Sequence, residues 1–173
     1  MAEKSNKSLK IEKAVRGVLS GDTLSNALEL FSYLRENKMN PVNTSKNGWK
    51  LSSKGCVVCY MGLDSATGAF YINPFISEYE HGSLSDDLKE IVWSKKKQGT
   101  ACERCHVVSG DGYNCSYKLN TVFGKRFEDA CARSVTFINP DSEEIECIKK
   151  LLALRKNIIK NGKKLSASPT NYG

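Results

Sequence analysis

Residues 56–72 read CVVCYMGLDSATGAFYI, and this stretch predicts the centre of an antiparallel sheet. Its first part, residues 56–63, is rich in Val and Tyr, as strands are. Residues 64–68 form a polar loop that ends in Gly, which adopts a positive φ at low cost. Residues 69–72 return as the next strand. With the short alternating segment 49–51, they predict a meander of about three strands that has one covered face.

Helical periodicity precedes this meander. Residues 9–19 place apolar side chains at helical spacing, which predicts a first helix. We expect Asp22 or Thr23 to cap a second helix, and the Asn40-Pro41 pair to end it, because the residue before proline avoids the helical region. The apolar face of this second helix consists of Leu24, Ala27, Leu28, Phe31 and Leu34.

The second half of the chain adds two helices and a strand. Ser83 and Asp86 match a loose capping box before an apolar run. Residues 134–138 predict a strand. Asp141 and Glu144 have the N-cap and N3 spacing of another capping box, which opens a long amphipathic helix.

These elements predict an α+β fold. We expect a small antiparallel sheet, made of a three-strand meander plus a later strand, with helices packed on one face and a long C-terminal helix. Residues 1–22 are expected to form an N-terminal helical appendage, and residues 23–162 a single α+β domain. Residues 99–131 form a cysteine-bearing excursion within that domain, and residues 163–173 a flexible basic tail.

The composition is that of an ordinary globular protein, with 40% hydrophobic and 26% charged residues. Residues 149–173 contain seven basic side chains and no acidic one, which accounts for the whole net charge of +7, so residues 1–148 sum to zero. This pattern is typical of cations that collect at the C-terminal end of a helix and continue into a solvated tail. The alternative is a nucleic-acid-binding module that uses the basic C-terminal helix.

The expected location is cytoplasmic. No apolar run approaches the roughly 18 residues that span a bilayer, so we expect no membrane partner. Residues 1–7 lack the apolar core of a signal peptide, and thiols in the cytosol stay reduced. The seven cysteines are odd in number and cannot all pair within one chain, which leaves metal binding, burial or reactivity.

Four cysteines form the candidate metal site. Cys102 and Cys105 follow a helix break and precede a Gly-containing turn, so they can form a knuckle that aims both sulfurs inward. With Cys115 and Cys131 they leave two, nine and fifteen residues between successive ligands, which suits a tetrahedral four-thiolate zinc site. His106 could replace one thiolate. Two alternatives stay open, namely simple buried thiols and a thiol redox or sensor role for Cys102 and Cys105.

The other Cys-x-x-Cys pair, Cys56 and Cys59, lies in a strand rather than at a helix N-terminus, where backbone N–H groups would lower a thiol pKa. Residues three apart on a regular strand point to opposite faces. We therefore expect both thiols to be buried on opposite faces and unable to grip one ion. Cys147, within the last helix, is expected in the core.

No catalytic signature is apparent, so an enzyme is not favoured. The histidines are His81 and His106, and neither stands beside an activated nucleophile. Residues 109–112 contain glycine and an acid but lack the Lys of a phosphate loop. Aromatic residues gather near the meander, where they indicate either core packing or a lined pocket. They are Trp49, Tyr60, Tyr71, Phe75, Tyr79 and Trp93.

Three stretches together resemble a known group of proteins. They are residues 49–60 (WKLSSKGCVVCY), 122–131 (VFGKRFEDAC) and 139–156 (NPDSEEIECIKKLLALRK). The combination resembles a group of small uncharacterised bacterial proteins of the kind found in clostridia and their relatives, and it would cover roughly residues 24–160. The resemblance implies a bacterial cytosolic setting and brings no established activity.

The function favoured by the sequence is a non-enzymatic binding or regulatory domain in which the cysteine segment is a structural clamp. Its partner would be an unidentified small molecule or protein. The rivals are the redox or sensor protein and the nucleic-acid-binding module described above.

The zinc hypothesis predicts that replacing Cys105 by Ser releases one zinc ion per chain, because a structural site loses its tetrahedral closure. Residues 100–116 should then lose order while the meander survives on its own apolar core. Metal analysis of the purified protein, with Cys147→Ser as the matched control, measures this. Protein that carries no stoichiometric zinc would leave burial or redox chemistry as the role of these thiols.

Overall fold

The computed structural model describes residues 5–76, 84–96, 121–126 and 135–161. For residues 5–10 it describes the backbone alone. This part of the chain contains four α-helices and seven β-strands. In chain order they are α1 (Ser5–Arg16), α2 (Gly21–Glu36), β1 (Val42–Ser45), β2 (Gly48–Ser53), β3 (Cys56–Asp64), β4 (Ala69–Pro74), α3 (Asp86–Ser94), β5 (Thr121–Val122), β6 (Lys125–Arg126), β7 (Phe137–Ile138) and α4 (Ser142–Lys160).

Five strands form one antiparallel sheet in the order β1-β2-β3-β4-β7, and β5 pairs with β6 in a separate hairpin. The predicted α+β class, with a meander, a later strand and a long C-terminal helix, is confirmed. The meander has one more strand than predicted, since β1 was missed. The later strand is shorter than predicted, and Val135 instead forms an isolated bridge with Lys96.

Two hairpins of the meander depend on glycine. Lys54 and Gly55 have φ values of 46° and 80°, so this two-residue loop has positive φ at both positions, the geometry whose twist matches the flanking strands. Gly68 has a φ of 67° at the end of the β3–β4 loop, as predicted. In that loop Asp64 accepts hydrogen bonds from the Ala66 N–H at 2.9 Å and from the Thr67 hydroxyl at 2.8 Å, which fixes the turn.

The inner face of the sheet packs against the helices. Alternate residues of β2, β3, β4 and β7 are buried there: Trp49, Leu51, Cys59, Met61, Leu63, Phe70, Ile72 and Phe137. The Phe31 ring of α2 meets the Phe70 ring edge to face, with ring centroids 5.9 Å apart. Ile11 and Val15 of α1 belong to the same buried cluster, so the first helix joins the core of the sheet.

Helix α4 is the element that contacts most of the fold, since it packs against α2, α3 and strands β2, β3 and β4. Its predicted capping box is confirmed. The Asp141 side chain accepts from the Glu144 N–H at 2.9 Å, and Glu144 accepts from the Asp141 N–H at 3.3 Å. The buried stripe of the helix consists of Ile145, Cys147, Ile148, Leu151, Leu152, Arg155 and Ile159.

The starts of two other helices differ from the predictions. Helix α2 begins at Gly21 after Ser20, with no side-chain cap, so neither Asp22 nor Thr23 is its N-cap. The positive φ of Gly21, 55°, lets the chain turn sharply between α1 and α2, which places the helix start before the polar residues. Helix α3 begins at Asp86 after the N-cap residue Ser85, again without a side-chain cap, and Ser83 of the predicted capping box lies outside the described residues.

The confirmed capping box yields a stability prediction. Replacing Asp141 by Ala should lower the free energy of unfolding by about 1 kcal/mol, because it leaves N–H groups at the start of α4 without an acceptor. Urea unfolding of the variant measures the change. Glu143→Ala is the matched control, since it removes an acid from the same turn without touching the box, and it should cost less. Equal losses in the two variants would show that charge rather than capping is responsible.

Candidate functional site

The structure does not test the predicted metal site. Cys102, Cys105, Cys115 and Cys131 all lie outside the described residues, and so does His106. The zinc site and the redox role of Cys102 and Cys105 therefore stay predictions. Within the described ranges, no group of three or more His, Cys, Asp or Glu side chains is placed to hold a metal ion.

The strand cysteines differ from each other. Cys59 is buried as predicted, and burial raises its pKa to about 12, so it stays a protonated thiol at neutral pH. Cys56 is exposed, so its predicted burial is wrong: it is the first residue of β3, directly after the Lys54-Gly55 turn. Cys147 is buried in α4 as predicted, and burial raises its pKa to about 11.

A β-bulge changes the alternation between these two thiols. Leu51 pairs with Cys59, but the next residue, Ser52, pairs with Val57, so Val58 is an extra residue in β3. Cys56 pairs with Ser53, which lies two positions from Leu51 on the same side of β2. The register therefore does not support the prediction of opposite faces, which assumed a regular strand.

The basic side chains of α4 are largely engaged within the fold. Lys149 donates to Glu146 on its own helix and to Glu29 on α2. Burial lowers its pKa, but these hydrogen bonds outweigh that effect and raise the pKa overall, so Lys149 stays charged. The Tyr33 hydroxyl also donates to the Lys149 carbonyl, at 3.0 Å. This cluster fastens α4 to α2.

Two further cations of α4 reach across the core. Arg155 is buried, donates from Nε to the Val57 carbonyl at 3.3 Å, and stacks over the Phe75 ring 4.5 Å from its centroid. Lys156 donates to the carbonyl of Asn37 at the end of α2. Lys150 and Lys160 of the same helix are exposed, and the nucleic-acid hypothesis for the basic C-terminal helix stays a prediction.

The outer face of the sheet, opposite the core, has a different character. We define it by Lys50 on β2, Tyr60 and Gly62 on β3, Tyr71 and Asn73 on β4, and Ile138 on β7. Each of these residues is half-exposed or exposed, whereas their neighbours along the strands are buried. Ile138 is 48% exposed, as is Val42 of the edge strand β1. The tyrosines that the sequence assigned to core or pocket thus lie at a half-open surface.

The register fixes how these side chains are arranged. Lys50 pairs with Tyr60, and Tyr60 pairs with Asn73, so the three form one row across the sheet. Gly62 pairs with Tyr71, which pairs with Ile138 in the next row. Tyr60 and Tyr71 are therefore diagonal neighbours on adjacent strands, which are typically about 7–8 Å apart, with their Cβ atoms somewhat closer.

Gly62 lies two residues after Tyr60 on β3 and directly across from Tyr71 on β4. Its φ lies outside the left-handed region, so the backbone does not require glycine there. Of the described atoms, only the Asn47 carbonyl oxygen comes within 4 Å of a Cβ built on Gly62, at 3.8 Å. Gly48 is different, because a Cβ there would lie 2.5 Å from Ser45 Oγ. Glycine inside a strand weakens it and often marks a place where a ligand approaches the backbone closely.

The strands of this face lie in a part of the sequence that carries positive charge. Residues 37–63 contain four lysines and no acid, namely Lys38, Lys46, Lys50 and Lys54. Lys50 lies on the outer face itself, whereas Lys54 donates to the Lys160 carbonyl at 3.1 Å. Asp64, the next acid along the chain, has both carboxylate oxygens occupied by its own turn. The sum over residues 1–148 concealed this stretch, because acidic residues of α2, α3 and the start of α4 cancel it. An acid-free run interleaved with aromatics was the sequence signal that could have located the surface.

No protein-family model, curated protein or solved structure matches this chain. The resemblance to small clostridial proteins therefore stays a prediction. In the described part of the chain, no helix is long and apolar enough to cross a membrane.

The two strand thiols give a direct reactivity prediction. Iodoacetamide at pH 8 should label Cys56 at least about tenfold faster than Cys59, because alkylation requires the thiolate and Cys59 is buried with a pKa of about 12. Peptide mass spectrometry of the folded protein measures both sites, and denatured protein provides the control in which the rates converge. Comparable labelling in the folded state would show that β3 opens.

Proposed function

We propose that this chain is a binding domain that takes an anionic ligand on the outer face of its sheet. The observation that carries the proposal is Lys50, which lies in one row with Tyr60 and Asn73 on the partly exposed outer face, beside Gly62, which has no side chain. The binding role is the one favoured by the sequence. The surface is new, since the sequence pointed to the cysteine segment and the basic helix.

Gly62 supports the proposal because the described residues give no structural reason for a glycine at this position. Glycine in a strand interior costs roughly 0.5–1 kcal/mol relative to Ala, and neither backbone conformation nor packing among the described residues requires it here. Cost without structural return is typical of positions kept for function.

The charge supports an anionic ligand. Lys50 lies on the outer face beside Tyr60, and Lys46 is exposed in the β1–β2 loop. The other face of the sheet is covered by α2 and α4, and Lys149, Arg155 and Lys156 of α4 are engaged within the fold. An anionic ligand on the outer face would meet Lys50.

The zinc hypothesis for the cysteine segment is part of this proposal. The segment that holds Cys102, Cys105, Cys115 and Cys131 would act as a structural clamp, with zinc as its metal, in a bacterial cytosolic protein. The redox alternative depends on the same segment and gains nothing from Cys59, which burial makes inert.

Inorganic polyphosphate is a suitable probe for the anion site. The double variant Lys46→Glu/Lys50→Glu should bind it at least about tenfold more weakly than the unaltered protein, with a shallower dependence on salt, because two cations are reversed. Isothermal titration calorimetry at two salt concentrations measures both quantities.

Lys150→Glu is the matched control, since Lys150 is an exposed cation on α4, away from the outer face. It should change polyphosphate affinity by no more than about twofold, as expected for a distant surface charge. Absence of polyphosphate binding, or equal losses in the sheet and helix variants, would overturn the proposal.

A further inference from the structure

We propose that Asn161, the C-cap residue of α4, is a modification site at which the chain deamidates spontaneously. The sequence contains two Asn-Gly pairs, Asn47-Gly48 and Asn161-Gly162. Asparagine is a thermolabile residue, and a following glycine favours its deamidation, because glycine has no side chain that hinders attack by its own backbone nitrogen. The fold holds the two pairs differently, and this difference assigns the reaction to Asn161. The site is independent of the anion surface proposed above.

The reaction replaces the side-chain amide by a carboxylate. The backbone nitrogen of Gly162 attacks Cγ of Asn161, so that a new C–N bond closes a succinimide ring. The bond from Cγ to Nδ2 breaks, and ammonia leaves with the proton that the attacking nitrogen gives up. Water then opens the ring at either of its carbonyls, which yields aspartate or isoaspartate. The net change is uptake of water and release of ammonia, without oxidation or reduction.

The geometry at Asn161 allows this attack. Asn161 is exposed, and its side-chain amide makes no hydrogen bond within the described part of the chain. Its ψ is 10°, so ψ must change before the next backbone nitrogen can reach Cγ. The Asn161 N–H donates to the Asn157 carbonyl at 3.0 Å, and this bond does not depend on the ψ of Asn161. Rotation about ψ therefore leaves the helical hydrogen bonds up to this residue in place.

Asn47 lies in the two-residue loop between β1 and β2, where the same rotation is opposed. Its side-chain amide donates to Ser65 Oγ at 2.9 Å, and its carbonyl accepts from the Leu63 N–H at 2.9 Å. Gly48, the residue that would attack, is paired with Gly62 on β3. A change in the ψ of Asn47 would move Gly48 out of this pairing, so the reaction there requires prior local opening of the hairpin.

Exposure alone does not select the site. Asn157 is also exposed on α4, one helical turn before Asn161, but Ile158 follows it and both residues lie inside the helix. Attack at Asn157 would involve the nitrogen of a β-branched residue and would break helical hydrogen bonds. Asn161 is therefore the asparagine, among the described residues, that combines exposure, a following glycine and a backbone free to rotate.

Deamidation changes the charge at the basic end of the chain. Residues 149–173 carry seven basic side chains and no acidic one, so a carboxylate at position 161 lowers their net charge from +7 to +6. A negative charge at the C-terminal end of a helix is unfavourable, because the helix dipole is negative there. Lys54 offsets this effect, since its Nζ lies 3.1 Å from the carbonyl of the neighbouring Lys160. The modified chain therefore keeps α4 and differs in charge.

Peptide mass spectrometry of the folded protein held at pH 8 measures the reaction at each asparagine, because replacing an amide by a carboxylate raises the mass of the peptide. Asn161 should deamidate at least about tenfold faster than Asn47, which reacts only after local opening, and Asn157 should stay intact. In protein unfolded by urea the rates at Asn47 and Asn161 should converge, since both precede glycine. Equal rates in the folded protein, or a faster reaction at Asn47, would overturn the inference.

Two variants test the chemistry at this site. Gly162→Val should slow the reaction at Asn161 to no more than the rate at Asn47, because a branched side chain hinders the attacking nitrogen, and it should leave Asn47 unchanged. Asn161→Asp should elute from a cation exchanger with the acidic species that accumulates in the unaltered protein, and it should unfold at the same urea concentration as that protein. An acidic species that forms at an unchanged rate in Gly162→Val would show that the reaction takes place elsewhere.

Discussion

Burial of the α4 stripe against the inner face of the sheet is the contact on which the rest of the structure depends. The helix touches α2, α3 and three strands, so its position sets theirs. Apolar packing is reinforced by cations, because Lys149 and Lys156 donate to α2 while Arg155 reaches the bulge in β3. These charges are therefore committed to the fold. The proposed binding surface lies on the opposite side of the sheet, at residues that are only partly buried.

Local signals in the sequence predicted much of this arrangement. The capping box at Asp141 and Glu144 marks the start of α4, and the alternation of residues 56–72 marks the central hairpin, because both depend on neighbours in the chain. Features set by tertiary context were missed. Strand β1, with all four residues exposed, has no apolar alternation to reveal it. Cys56 is exposed because it lies next to the hairpin turn. The face of the sheet on which it lies depends on the β-bulge, which a regular period-two pattern cannot show.

The candidate surface was hidden for a related reason. The sequence alone does not relate Tyr60, Gly62 and Tyr71 to one another. The strand register places them in adjacent rows of one face. Before that, each tyrosine is equally consistent with a core position. The net charge of zero for residues 1–148 also concealed the four lysines of residues 37–63, because acids on distant helices cancel them in the sum. Charge becomes informative only when it is assigned to the surface on which it lies.

The free edge of the sheet strengthens the argument for the outer face. Strand β1 has an open edge, but it is four residues long, follows Pro41 and has a register irregularity between Asn43 and Ser45. Short, bulged edges near proline resist the addition of another strand, so an extended peptide has a poor template there. The proposed anion surface therefore lies across the strands of the outer face rather than along this edge, and Lys50 stands there in one row with Tyr60 and Asn73.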